Sequence, residues 1–324
     1  MPFTLTWCKD KEKWDQFVVS SPQGSVFCST PFLDALNEDY DLLLVEDNGT
    51  PQIGTVVMKQ NGKPIYAPHQ FTEYQGILFG ISKINMSKHS QIRWGLEVTD
   101  FLLSEMEKHY DRISFCLHYT MEDIRSIQWF HYHEPQKGLF NVALYYSAIL
   151  DLQLINNFND YLYAIRKVRR YEYRLACSEG LMFEVSDDIN VLNQLHKRTF
   201  ERQGIRRSSE EECLLFSISQ AAISQNFGQL LVCRNKSGIE IAATLFLYDT
   251  KCGYYLFGAN DPDYRNNFGS TYLLLENIRQ CKKRGLCLVD FVGINSPNRG
   301  DFKTSFNTKP VPYFVTTWEK EMKS

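Results

Sequence analysis

No apolar run in this chain approaches the ~20 residues that a membrane-spanning helix needs. The nine cysteines are odd in number and none sits in a C-x-x-C pair. A disulfide framework and a zinc site are therefore not expected. Cys116, Cys233 and Cys287 lie in apolar, strand-like runs and read as small reduced core residues. A dominant charge is missing too: 35 Lys and Arg meet 38 Asp and Glu, for a net charge of −3. That balance argues against a bulk nucleic-acid binder, DNA included, but leaves room for a local basic groove. No heptad pattern is long enough for a protruding coiled-coil arm. Charged Lys9, Asp10, Lys11, Glu12 and Lys13 stand where a leader would need an apolar stretch. The expected compartment is the cytoplasm, with at most peripheral membrane contact.

What is present can fill cores. Hydrophobic residues make up 44% and aromatics 14% of 324 residues, enough for one large or two ordinary domains. The chain reads as two copies of one plan. In the first half, residues 42–46 read as a strand, Asp47-Asn48-Gly49 as a turn and 53–58 as the return strand. Further strands follow near 64–66 and 76–79, then an amphipathic helix around 96–106, then a closing strand at 112–117. In the second half the same order runs through strands 229–234, 239–248 and 253–257, a helix over 270–283 and a closing strand at 286–292. Gly285 is placed to end that helix. Between the halves, 157–178 and 188–203 read as helices. The expected fold is α/β, with mixed sheets flanked by helices, in an N-terminal domain over 1–150 and a C-terminal one over 151–324.

The segment Val289-Asp290-Phe291-Val292-Gly293 ends a strand with an acid embedded among apolar residues. A polar loop over 294–300 follows, then Asp301-Phe302-Lys303-Thr304-Ser305-Phe306, then a β-like segment over 312–318. A strand end, a loop and a lone Lys suit an anionic or carbonyl-bearing group. A carboxylate buried like Asp290 must be paired or carry a raised pKa. Arg166, Arg170 and Arg174 recur every four residues and are expected on one helix face. Lys197, Arg198, Arg202, Arg206 and Arg207 form a second basic cluster. Both could grip a polyanion or simply be solvated faces. In Trp129-Phe130-His131-Tyr132-His133-Glu134, a strand would put both imidazoles on one face. A third ligand is lacking, so no metal is expected.

The duplicated plan, the Asp290-Phe291-x-Gly293 segment and the Phe302-Lys303-x-x-Phe306 segment resemble the Fem-type aminoacyltransferases and related GNAT-like acyltransferases. The resemblance is clearest from Tyr161 to Trp318 and includes Thr199-Phe200-Glu201-Arg202-Gln203-Gly204. It implies two tandem GNAT-like domains and a cleft between splayed parallel strands. On that reading Tyr255, Phe257 and Gly258 hold the donor arm, and Arg265, Gly269 and Ser270 meet its phosphates at a helix start. Lys303 stabilises the oxyanion or grips a phosphate, and Asp290 accepts a proton or orients Lys303. Arg166, Arg170, Arg174, Arg202, Phe302 and Tyr74 face the acceptor, Tyr74 from the loop over 69–76.

The implied activity is acyl transfer from a thioester donor, acyl-CoA, to an amine of a cell-envelope or surface-polysaccharide precursor. No permanently bound cofactor is expected. The acceptor would be a small-molecule or lipid-linked sugar or peptide. One alternative is a tRNA-dependent Fem-type enzyme that uses aminoacyl-tRNA. Another is a non-catalytic tandem protein that binds a nucleotide sugar or a partner.

Overall fold

The computed structural model describes residues 3–81 and 86–320. It divides into two compact units, one running to Tyr145 and resuming at Pro312, the other spanning Tyr146–Val311. The sequence expectation set the division at 150 and gave the C-terminal segment to the second domain.

The first unit starts with β1 (Phe3–Trp7), α1 (Lys11–Ser20), α2 (Thr30–Ala35), β2 (Asp39–Asp47) and β3 (Thr50–Gln60). Then come β4 (Lys63–Pro64), β5 (Ile77–Phe79), α3 (Lys88–His109), β6 (Arg112–Cys116) and α4 (Arg125–Trp129). Strands β1 to β4 follow one another in an antiparallel sheet, with β5 also on β3. Asp47 pairs with Thr50 across the hairpin. The two residues between them, Asn48 and Gly49, have φ of 49° and 78°. That is the left-handed pair a tight hairpin demands, and Asn-Gly supplies it. Helix α3 buries Trp94, Val98, Leu102 and Met106 at four-residue spacing. The Ser87 side chain caps it by accepting from Ser90 N.

The second unit takes over within β7 (Asn141–Asp151). It continues through α5 (Phe158–Ala164), α6 (Lys167–Ser178), β8 (Met182–Ser186), α7 (Ile189–Glu201) and α8 (Ser209–Ser224). Strands β9 (Gly228–Arg234), β10 (Glu240–Tyr248) and β11 (Cys252–Asn260) precede α9 (Gly269–Lys283), β12 (Leu288–Asp290) and α10 (Pro297–Thr304). Within this unit the strand order is β7-β12-β11-β10-β9-β8. Only β11 and β12 among these neighbours run parallel. Leu230 to Cys233 of β9 are all buried, as in a strand covered on both faces. The chain ends on β13 (Lys309–Glu319), which pairs antiparallel with β6 from Val315 onward, inside the first unit.

Three local expectations change. Residues 157–178 form two helices, because Ile165 and Arg166 are extended and the Arg166 N–H bonds Ser305 O instead of a helical carbonyl. The His131 segment is a turn after α4, not a strand, and His131 itself has φ of 57°. The polar loop expected over 294–300 is partly helix: Pro297 opens α10, and Lys303 sits in its last turn, ahead of β13.

Candidate functional site

The parallel pair opens. Cys252, Gly253 and Tyr254 of β11 register with Leu288, Val289 and Asp290 of β12. There β12 stops, while β11 runs on to Asn260. At the same point β11 bulges. Leu245 and Phe246 of β10 face Phe257 and Tyr255, so Leu256 is an extra residue. The bulge resets side-chain parity. Tyr255 joins the core under α9, stacked on Phe246 at 5.4 Å. Phe257 turns to the other face, where it meets the His196 ring of α7 at 5.7 Å. Gly258 shares the face of Tyr255, and a Cβ there would stand 1.8 Å from the Tyr255 hydroxyl oxygen. The space above Gly258 is thus filled by Tyr255, and glycine is needed for that reason.

The turn after β12 creates the opening. Val292 has φ of 50° and Gly293 φ of 58°. A β-branched residue in the left-handed region costs about 1–3 kcal/mol and persists only where its surroundings hold it. Two side chains do so. Asp290, fully buried, accepts from the Val292 N–H at 2.7 Å and from the Ser147 hydroxyl. Lys303, 8% exposed, donates its ammonium to the Val292 carbonyl and, at 3.1 Å, to that of Gly293. It also lies 5.5 Å from the Tyr255 ring centroid. A hydrogen bond from a charged group contributes roughly 1.5–3 kcal/mol, so this pair is enough to offset the strain. The two residues expected to carry chemistry therefore meet at one turn and shape it.

Helix α9 begins without a side-chain cap. Its N-cap is Phe268, left-handed at φ 61°. The first helical backbone bond runs from Tyr272 N to Phe268 O, leaving the Gly269, Ser270 and Thr271 N–H groups outside the ladder. Gly269 is buried, and a Cβ on it would stand 2.9 Å from that of Ala242. Arg265 is exposed and makes no side-chain hydrogen bond or ion pair among the described residues. This helix start keeps the features of an anion site: open N–H groups, a positive dipole end and a nearby guanidinium.

The basic residues do not form one stripe. Arg166 precedes α6 and holds Asp301 with two bonds of 2.8 Å. Arg170 and Arg174 both lie over the exposed Tyr163 ring, at 5.0 and 5.6 Å. Arg202 ends α7, exposed and with no side-chain partner among the described residues. Phe302 packs against Phe306 at 5.2 Å and lies under the Arg169 guanidinium at 4.8 Å. In the first unit, Tyr74 is 1% exposed and left-handed, its ring against His118, Tyr119 and Tyr313. No group of three or more potential metal ligands occurs among the described residues.

Several residues escaped sequence reasoning. Arg169 joins Glu172 at 2.6 Å and Ser305 at 3.0 Å, and Glu172 accepts from Thr271 in the first turn of α9 at 2.6 Å. Its i,i+3 spacing to Glu172 was a signal; its reach to α10 was not. His196, buried on α7, showed only as one more polar residue in a helix. Burial first, then the charges of Arg207 and Arg299, hold its pKa down at about 3.

The comparisons with known proteins agree with this architecture. The FemAB family model matches residues 219–314, from α8 through the start of β13. The structure of FemX is 13% identical, covers 97% of each chain and superposes with a TM-score of 0.70. A tandem GNAT protein from the clavulanic acid biosynthesis pathway is 9% identical, covering 100% of this chain and 99% of its own, with a TM-score of 0.54. L-PGS from Bacillus licheniformis is 13% identical over 97% of this chain and 93% of its own, also with a TM-score of 0.54. No curated protein matches the sequence.

Proposed function

The chain has a Fem-type, tandem GNAT-like acyltransferase fold, and we propose that its second unit transfers an acyl group from acyl-CoA to an amine. The observation that carries this reading is the opening between β11 and β12 beside an uncapped helix start. An extended pantetheine arm can bond the strand edge beyond Tyr254, and the donor's phosphates can take the N–H groups of Gly269 and Ser270 with Arg265. The amine attacks the thioester carbonyl, a tetrahedral oxyanion forms, and the C–S bond breaks as the C–N bond closes. The sulfur leaves as a thiolate and ends protonated by the proton the amine sheds. No protein nucleophile is required. Lys303 and Asp290 serve this step by holding the Val292–Gly293 turn that keeps the strands apart. The acceptor class is an amino sugar or peptide of a cell-envelope or surface-polysaccharide precursor, met in the cytoplasm.

A second reading uses aminoacyl-tRNA as the donor. The FemAB match and the exposed Tyr163 ring with the guanidiniums of Arg170 and Arg174 over it favour it, since an aromatic ring beside cations suits binding of a nucleotide.

The test is thermal stability with acetyl-CoA and coenzyme A, on wild type and Ser270→Asp. A carboxylate in the first turn suits the helix dipole, so the variant should fold, yet it repels phosphate. A wild-type shift absent from the variant supports the CoA site. No wild-type shift at millimolar ligand sinks that donor, and salt-sensitive binding of charged tRNA would then carry the second reading.

A further inference from the structure

The first turn of α9 is not fixed by a cap of its own, since its N-cap, Phe268, offers no side-chain bond. The Thr271 hydroxyl leaves the helix and donates to Glu172 Oε2 of α6 at 2.6 Å. The same oxygen accepts from Arg169 Nη1, also at 2.6 Å. Arg169 Nε then reaches Ser305 Oγ at 3.0 Å, just past the end of α10, and its Cζ lies 4.8 Å from the Phe302 ring centroid. The Arg166 N–H adds a bond to Ser305 O at 3.0 Å. Lys303, two residues before Ser305, holds the Val292–Gly293 turn. One ion pair on α6 thus links the helix start beside the β11–β12 opening to the helix that shapes the opening itself.

The pair is sheltered. The Arg169 side chain is 16% exposed and that of Glu172 10%, and Thr271 and Ser305 are buried. A sheltered ion pair is a poor source of stability, because desolvation offsets most of its attraction and apolar packing of the same volume does as well. Its contribution here is geometric. A guanidinium donates in fixed directions within one plane. Hydrogen bonds weaken steeply once distance or angle drifts, whereas apolar contacts tolerate sliding. The start of α9, the start of α6 and the end of α10 must therefore keep one mutual register for all of these bonds to persist.

We infer that Arg169 and Glu172 are positioning residues that set the distance between the donor's phosphate end, at the start of α9, and the Val292–Gly293 turn beside the reacting thioester. What they position rests on the acyl-transfer reading. Neither residue needs to touch donor or acceptor. An anion held on the Gly269 and Ser270 N–H groups steadies the first turn of α9. Thr271 passes that restraint through Glu172 and Arg169 to α10, and the turn that Lys303 holds opens less often.

The experiment is residue-resolved hydrogen exchange on the full chain, with adenosine 3′,5′-diphosphate as the probe. This molecule carries the phosphates of the donor's nucleotide end and lacks the arm that would reach the turn. At ten times its dissociation constant it should slow exchange at Gly269, Ser270 and Thr271 by about tenfold. The remote reporters are the Val292 and Ser305 N–H groups, bonded to the Asp290 carboxylate and to Asp301 O. They should slow severalfold, with no matching change in α8. Thr271→Val removes one hydroxyl and keeps the N–H and the volume. Arg169→Met combined with Glu172→Gln removes both charges at once, so neither is left buried alone. In each variant the response at the start of α9 should persist and the response at Val292 and Ser305 should vanish. A remote response that survives in either variant overturns the inference. So does a wild type that responds at α9 alone, or one in which α8 slows equally. A wild type with no response at α9 at millimolar probe overturns the donor site and this inference with it, so the two failures are told apart.

Discussion

Lys303 is the residue whose role the surroundings alter most. Its ammonium is bonded to the Val292 and Gly293 carbonyls, so its first task is geometric. Lys303→Met should cost about 2 kcal/mol in urea unfolding as the strained turn loses its anchor. Turnover should fall by about a hundredfold, since a displacement near 1 Å at a reacting centre has that effect. An unchanged melting point with lost activity would instead mean that the ammonium acts directly on the reacting group. Gly258 gives a packing prediction. Gly258→Ala drives a methyl into the Tyr255 hydroxyl and should cost ~1–3 kcal/mol. The double variant with Tyr255→Leu should cost less than the sum of the two singles, a coupling that a double-mutant cycle reads. His196 supplies a pH dependence. Its folded pKa of about 3 lies below the ordinary value of 6.5, so between those values the unfolded chain binds the proton and the folded one does not. Stability is therefore full above 6.5 and falls on acidification through that window, by at most ~1.4 kcal/mol per pH unit. His196→Gln should flatten that limb of the stability curve.

At the scale of elements, β9, β10, β11, β12 and α9 were legible because their patterns are local, whereas β7 and β8 were not read as strands. Turn residues such as Asn235 and Gly238 bracket β9 and β10, and apolar residues recur along α9 at helical spacing. The β11 bulge was not legible. Tyr255 and Phe257 are two residues apart and should share a face; only the pairing of β10 with β11 shows that Leu256 is extra. The break at Ile165 and Arg166 was hidden for a similar reason, since its stabilising bond comes from Ser305, far along the chain. The start of α9 makes its own prediction. Gly269→Ala should lose ~1–3 kcal/mol by crowding Ala242, and Ala242→Gly should recover part of it, as thermal unfolding of the pair would show.

At the scale of the molecule, the C-terminal strand belongs with residues far from it in sequence. From Val315 it pairs with β6, and Trp318 is fully buried in the core of the first unit. Ending the chain after Val311 should therefore destabilise the first unit more than the second. The loss of Trp318 alone should cost about 3–5 kcal/mol, and hydrogen exchange resolved by segment would locate it. Local chemistry in the sequence determined the α/β class, the repeated order of elements, the Asn48-Gly49 hairpin and the absence of a long apolar span. Periodicity and turn propensity act over a few residues and are written in composition and spacing. The tertiary structure decided where charge is spent: Arg166 on Asp301, Lys303 on two carbonyls, and Arg207 on Asn193, with its Nε and Nη2 unpartnered among the described residues. Whether a cation is paired, buried or open to a ligand depends on contacts between residues distant in the chain, and spacing along the sequence does not encode them.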